Sequence, residues 1–335
     1  SVAVAALIVL TFKPEALYGP GFQMSFAATT ALVAVYGAFR THGLSPFRWP
    51  RWIRLVGGVA VSSLIAGLAT APIGGAHFNQ VPHYGLVANV LSVPLMGLVI
   101  MPGAILAAVL APFGLAWMGL AVMAPAIQWI IQVAETVSGW PGSVSHVPAP
   151  DPLVLPLLAL SLLWLVLWQG WARLLGVPAV AGALVLWAEV ERPAVLVSQS
   201  GTLLGVLTEE GRALSKPRGD GFSAESWLEN DGDPVEQALA YARPAFAENG
   251  RQRELRLGQA VIRHATGKVA ATAALSGCET VSLLIVNVPL TAPQACRLYD
   301  IRRLRETGAL AIRPGPEGLL IVSTKDVTGR RLWSP

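Results

Sequence analysis

Polar side chains interrupt apolar stretches at spacings that could do work in a membrane. Gln128, Gln132 and Glu135 fall at i, i+4 and i+7 in the run 114–138, which is one face of a helix. Ser25 and Thr29 share a face of the run 21–39, with Gln23 near its end. Asn89 and Ser92 lie about a turn apart just before Pro94. In hydrocarbon such groups are costly and face a bundle interior or a wet cavity. Two chemistries fit: the stripes line a hydrated path for a polar substrate, or they hydrogen-bond helix to helix and hold a bundle together. Glu135, being ionisable, suits either a wet lining or an interface. His77 and His83 flank Asn79, but no Cys, Asp or Glu in that loop completes a metal site. With Gly74, Gly75 and Pro82 beside them, they read as a solvated loop.

The elements that must position these residues are apolar helices. Hydrophobic residues make up 53% of the chain and charged residues 13%, too few charges for an ordinary soluble surface. The charges are also segregated. Residues 1–188 hold six Lys/Arg and three Asp/Glu, whereas residues 189–335 hold eighteen and seventeen. Crossing a hydrocarbon core takes roughly 20 helical residues. The first part offers a partial span at 2–12 and spans near 21–39, 53–73, 84–110, 114–138, 152–169 and 174–190. Pro94 and Pro102 predict a kink or break in 84–110. Gly57, Gly58, Ala60, Ser62, Ser63, Ala66 and Gly67 predict close helix packing along 53–73. Trp117, Trp129, Trp140, Trp164, Trp168 and Trp171 lie mostly near span ends and suit an interfacial belt. The chain opens with Ser1 inside an apolar run and lacks the parts of a signal peptide, which predicts missing upstream residues. The expected fold is a polytopic α-helical membrane bundle over 1–190, followed by a small soluble α/β domain over 191–335.

Positive charge marks cytoplasmic loops. The loop 40–54 carries Arg40, Arg48, Arg51 and Arg54 without an acid, which places it inside. Alternation then puts 74–83 and 139–151 outside, both without Lys or Arg, and the turn Pro112–Gly114 and Arg173 inside. Lys13, beside Glu15 in the outer loop 13–20, is the one violation. The tail then emerges on the periplasmic face. That compartment permits a disulfide between Cys278 and Cys296, the alternative being two small buried thiols.

The tail alternates short strands and turns. Val195–Val197, Leu203–Leu207 and Arg212–Leu214 read as a meander, and Ser282–Val288 as a buried strand. Ala309–Arg313 and Leu319–Ser323 read as a hairpin around Pro314–Gly318, with helices at Pro234–Tyr241 and Asp300–Thr307. The tail's one histidine is His264, and it carries no nucleophile elbow, phosphate-binding loop or dinucleotide fingerprint. Arg251, Arg253, Arg256 and Arg263, then Arg302, Arg303 and Arg305, form basic runs that could contact phosphates or simply be solvated.

The segment KPEALYGPGFQMSF (Lys13–Phe26) resembles the ComEC competence family, through Pro14, Leu17, Gly21, Phe22, Gln23, Ser25 and Phe26. A later block is similar in the same order: Thr70–Pro72, His77–Phe78, Tyr84–Gly85–Leu86, Asn89, Pro94, Pro102, and then Trp140–Pro141–Gly142. The resemblance covers about 1–190. It implies an inner-membrane channel passing single-stranded DNA into the cytoplasm during natural transformation, in contact with membrane lipid, a periplasmic DNA receptor and a cytoplasmic motor, with an oligomer left open. Members usually carry an N-terminal OB-like domain and earlier helices, and neither is present here.

Many members end in a metallo-β-lactamase-like domain whose His-x-His-x-Asp-His cluster binds metals. That cluster is missing here, so the resemblance implies a degenerate, non-catalytic core ending in LRETGALAI (Leu304–Ile312), and no cofactor. On this reading Gln23, Ser25, Thr29, Asn89, Gln128, Gln132 and Glu135 line a wet, weakly interacting path. Arg48, Arg51 and Arg54 then sit at its cytoplasmic exit, a placement that topology explains equally well. The alternatives are a small-molecule transporter, for which no inverted repeat is visible, and a membrane-anchored hydrolase, against which the missing His cluster counts.

Overall fold

A computed structural model of the protein describes residues 2–41, 50–249, 251–291, 297–316 and 318–329. The chain divides into two compact units, Ser1–Val190 and Glu191–Pro335.

The first unit is helical: α1 (Val2–Phe12), α2 (Pro20–Thr41), α3 (Arg51–Phe78), α4 (Gly85–Leu95), α5 (Met101–Leu110), α6 (Ala116–Ser138), α7 (Val154–Leu167) and α8 (Gly176–Ala188). Among the described residues five stretches are long and apolar enough to cross a membrane: 20–41, 56–78, 85–113, 116–138 and 171–188. Helix α7 has 14 residues and falls short of the expected span 152–169. It stops because Trp168 turns extended and Gly170 takes a positive φ of 75°.

The stretch 85–113 is interrupted without being broken. Pro94 lies inside α4 and cannot donate a backbone bond, and the helix widens into one π turn over Met96–Ile100 before α5 continues. Beside this turn the indole of Trp129, midway along α6, donates to the Leu91 carbonyl at 3.3 Å. Trp129 is therefore an interhelical donor rather than part of a belt at the span ends.

Helix α3 packs on α2, but not through these glycines: a Cβ added at Gly57, Gly58 or Gly67 would meet nothing within 4 Å. Glycine does permit a close approach between α5 and α6, where a Cβ on Gly119 would lie 2.5 Å from the Gly103 carbonyl oxygen. A Cβ on Gly176 would likewise lie 2.5 Å from Leu165 Cγ, where α8 meets α7.

Two short strands tie distant loops together. β1 (Gln80–Pro82) pairs antiparallel with β2 (Val144–His146), so the connections after α3 and α6 meet at one end of the bundle. Asn79 closes α3 in the left-handed region (φ 55°), and its side chain donates to the Val147 carbonyl at 3.2 Å. His77 and His83, expected in a loop, stand respectively on the last turn of α3 and just after β1. The Trp187 indole donates to the Pro148 carbonyl at 2.8 Å, so α8 finishes at this ribbon end too.

Among its described residues the second unit has two five-stranded sheets. In the first, β3 (Val195–Val197), β4 (Leu204–Thr208), β5 (Gly211–Leu214), β11 (Leu310–Gly315) and β12 (Gly318–Ser323) run antiparallel in the order β12-β11-β3-β4-β5. The second contains β6 (Ala247–Asn249), β7 (Gln252–Leu257), β8 (Ala260–Ala265), β9 (Leu283–Val286) and β10 (Leu298–Tyr299), in the order β10-β9-β8-β7-β6. Its β8–β9 and β9–β10 pairs are parallel.

The sheets face each other across one core. Val195, Val197, Leu204, Leu310 and Ile312 of the first pack with Leu255, Ile262, Leu283 and Ile285 of the second. Helices α9 (Gly221–Asn230) and α10 (Gln237–Tyr241) cover the other side of the first sheet through Ala224, Leu228 and Ala240. Helix α11 (Lys268–Leu275) covers the second through Ala271 and Ala274. Strand β9 is buried on both faces, which is why its sequence reads as a continuous apolar run. Two short helices, α12 (Ile301–Thr307) and α13 (Thr324–Thr328), complete the unit.

Candidate functional site

The polar residues of the bundle fall into two groups. On α2, Gln23 is engaged at both ends of its amide: Oε1 lies 2.8 Å from His77 Nε2, and Nε2 donates to the Leu17 carbonyl at 2.9 Å. Ser25 and Thr29 are exposed and line a shallow groove with Val2, Ala5 and Phe26. The Thr29 hydroxyl bonds back to the Ser25 carbonyl at 2.7 Å, the usual way a helix hides a hydroxyl. On the other side, α6 buries Gly119, Ala126, Val133 and Val137. Gln128, Gln132 and Glu135 are exposed, and no described residue hydrogen-bonds their side chains. Asn89 is exposed on α4, which packs on α6. Helix α2 packs on α3 and α7, so the two groups lie on different helix pairs and no described hydrogen bond joins them.

Charge is divided between the two ends of the bundle. The Gln23–His77 contact sets the start of α2 at the ribbon end, so Lys13 and Glu15 lie there, together with Glu135 and Asp151. Arg40 at the end of α2, Arg51 and Arg54 on the first turn of α3, and Arg173 between α7 and α8 stand at the opposite end. Arg48 lies outside the described residues. Every acid of residues 1–188 is therefore at the ribbon end.

The tail holds a polar centre that sequence patterning missed. Ser198, Ser200 and Thr202, on the β3–β4 turn, all direct their hydroxyls to Asp220 Oδ2, the first two at 3.2 and 2.7 Å. Lys216 Nζ donates to Thr202 Oγ1 at 2.5 Å and reaches Asp220 at 3.2 Å. Asp220 itself sits in the left-handed region at φ 52°. Partial burial would raise its pKa, but the bonds from Ser200, Thr202 and Lys216 outweigh this and hold the carboxyl below its usual range. The centre thus satisfies its own donors and charges.

His264 underlies the same turn, its Nε2 2.9 Å from the Gly201 carbonyl. Burial pushes its pKa down to about 4. The ring is therefore neutral near pH 7, Nε2 is the donor, and Nδ1 has no described partner. Among the described residues no group of three His, Cys, Asp or Glu is placed to hold a metal.

Three arginines of the tail's basic runs are engaged within the fold, and Arg251, Arg256, Arg302 and Arg305 are exposed. Arg263 Nε donates to Glu254 at 2.6 Å, and Arg303 lies 4.0 Å over the Tyr299 ring. Arg253 packs against Tyr241 and Phe246. Cys278 is buried and is not a free thiol; Cys296 lies outside the described residues.

The model of a family described as competence protein matches residues 1–172, the stretch that ends just before Arg173. ComE operon protein 3 of Bacillus subtilis (strain 168) is 26% identical over 174 residues, which is 50% of this chain and 20% of that protein. The chain thus spans about a fifth of the length of that relative. No solved structure matches.

Proposed function

The chain belongs to the competence protein family, and on that footing we propose that it is part of an inner-membrane channel that passes single-stranded DNA into the cytoplasm during natural transformation. The family match over 1–172 carries this reading. The division of charge supports its direction. With the arginine-bearing end in the cytoplasm, as such loops generally are, the ribbon and the tail face the periplasm. A strand arriving there moves toward the cations.

Gln128, Gln132 and Glu135 form the wet side of the path, because an unpartnered amide face on a membrane helix is costly against lipid. Arg40, Arg48, Arg51, Arg54 and Arg173 receive the strand or a motor protein on the inner side, and a DNA receptor delivers it on the outer side. The tail acts as a non-catalytic scaffold in which Cys278 pairs with Cys296. Peptide mapping without reductant tests that bridge, and a free Cys296 thiol sinks it.

The decisive test of the function is entry of labelled DNA into the cytoplasm of a strain deleted for the gene. DNA that reaches the periplasm but stays there is the expected result. Normal entry overturns the reading.

A further inference from the structure

The basic end of the bundle carries an aromatic stack with a specific build. The rings of Trp164 and Trp168 lie parallel, centroids 4.0 Å apart and planes 10° apart. Trp168 is 48% exposed and Trp171 80% exposed, so both offer ring faces beyond the stack. The chain is shaped to present them. Trp168 leaves α7 in extended conformation, Gly170 turns the backbone at φ 75°, and the Trp164 indole donates to the Ala172 carbonyl at 3.0 Å. The Trp164 N–H thus fastens the turn that presents Trp168 and Trp171.

Cations stand at the same end of the bundle as the stack, and every acid of residues 1–188 stands at the other. Arg173 follows Trp171 by two residues, and Arg40 ends α2. Both side chains are exposed and have no ion pair among the described residues. Exposed ring faces at the end of the bundle that carries unpaired guanidinium groups suit one ligand chemistry above others. Unpaired bases stack on aromatic faces without sequence preference, and the adjoining phosphates meet arginine. A duplex keeps its bases stacked on each other and gains only the phosphate contacts.

We propose that Trp168 and Trp171, with Arg40 and Arg173, form a stacking platform for single-stranded DNA at the basic mouth of the bundle. The platform rests on the DNA-passage reading above and adds to it a place where the strand is held. Along the spans themselves few cations meet the phosphates, so a strand slides there; at the mouth, stacking resists its return.

The test uses the whole chain in nanodiscs of neutral phosphatidylcholine, with a thymidine oligonucleotide carrying 5-iodouracil as the probe. Ultraviolet crosslinks are expected at Trp168 or Trp171. The double variant Trp168→Leu/Trp171→Leu, which keeps an apolar residue at each position, is expected to lower binding about tenfold or more. A duplex of equal length is expected to compete poorly. Binding unchanged in the double variant, or equal competition by duplex, overturns the platform. Loss of association with anionic vesicles in the double variant, with no oligonucleotide bound by either protein, assigns the rings to lipid and also overturns it.

The same variant in the deletion strain separates the two claims. Import restored equally by the wild-type and double-variant genes removes the platform and leaves the channel standing. Import that never needed the gene removes the channel itself.

Discussion

Gln23 Oε1 and His77 Nε2 meet at 2.8 Å across 54 residues of sequence, joining the start of α2 to the last turn of α3. The bond fixes which ends of the helices lie together, and the division of charge follows from it. Gln23, expected to line a path, also braces these two helices. Polar pairs in membrane bundles contribute about 0.6 kcal/mol on average and up to roughly 1.7. Replacing Gln23 by Met is expected to cost about 1 kcal/mol, read as a lower melting temperature of the solubilised protein, with His77→Leu costing the same and the double variant little more. Additive losses would mean that the two side chains act separately.

The α5–α6 crossing gives a sharper contrast. Gly119 has no room for a side chain, whereas Gly67 faces open space. Gly119→Leu should destabilise the bundle by about 1–3 kcal/mol or remove the protein from the membrane fraction, and Gly67→Ala should do neither. Equal melting temperatures for the two variants would show that the helices do not cross at Gly119.

In the tail, Arg212 is completely buried and grips Asp231 through Nε at 2.5 Å and through a second nitrogen at 3.1 Å. It also donates to the Pro193 carbonyl at 3.1 Å, which ties β5 to the chain entering the sheet and to the end of α9. Removing one partner strands a buried charge. Asp231→Asn is expected to cost about 3–5 kcal/mol, while Arg212→Met/Asp231→Leu costs less than either single change. Denaturant unfolding followed by the fluorescence of the Trp227 region would reveal the order; a double variant worse than both singles contradicts it.

His264 makes the tail sensitive to acid. Its folded-state pKa of about 4 lies below the ordinary 6.5, so between these values the unfolded chain takes up a proton that the folded chain refuses. Stability is full above about pH 6.5 and falls as the pH drops toward 4, by up to roughly 3 kcal/mol. The pKa of Asp220 is held below 3.8, so its own loss comes at lower pH still. His264→Asn should flatten the slope between pH 6.5 and 4, and a slope unchanged by the substitution would exclude the imidazole as its source.

What the sequence discloses depends on whether a contact is local. The strand at Ser282–Val288 and the meander from Val195 to Leu214 are legible because apolar residues follow their own periodicity. The β7–β8 hairpin is not, because Arg253 and His264, paired across the two strands, share the inward face with Leu255 and Ile262 and break the apolar alternation. Helix α9 is also hidden: GFSAESWLEN carries only a weak apolar stripe, and its cover over Leu203 and Leu214 is tertiary. The hydroxyl cluster on Asp220 joins residues 18 to 22 positions apart, and Gln23 and His77 are further apart still. The Gln128–Gln132–Glu135 face was legible, since helical spacing alone defines it, but what it faces is not written in its own helix.

A photocrosslinking residue placed at Gln132, in cells importing labelled DNA, reports what passes it. The account predicts adducts with the single strand that form during import and disappear when uptake is blocked, with none from a crosslinker at Ala126 on the buried side of α6. Adducts only with lipid at Gln132, while labelled DNA still reaches the cytoplasm, would contradict it.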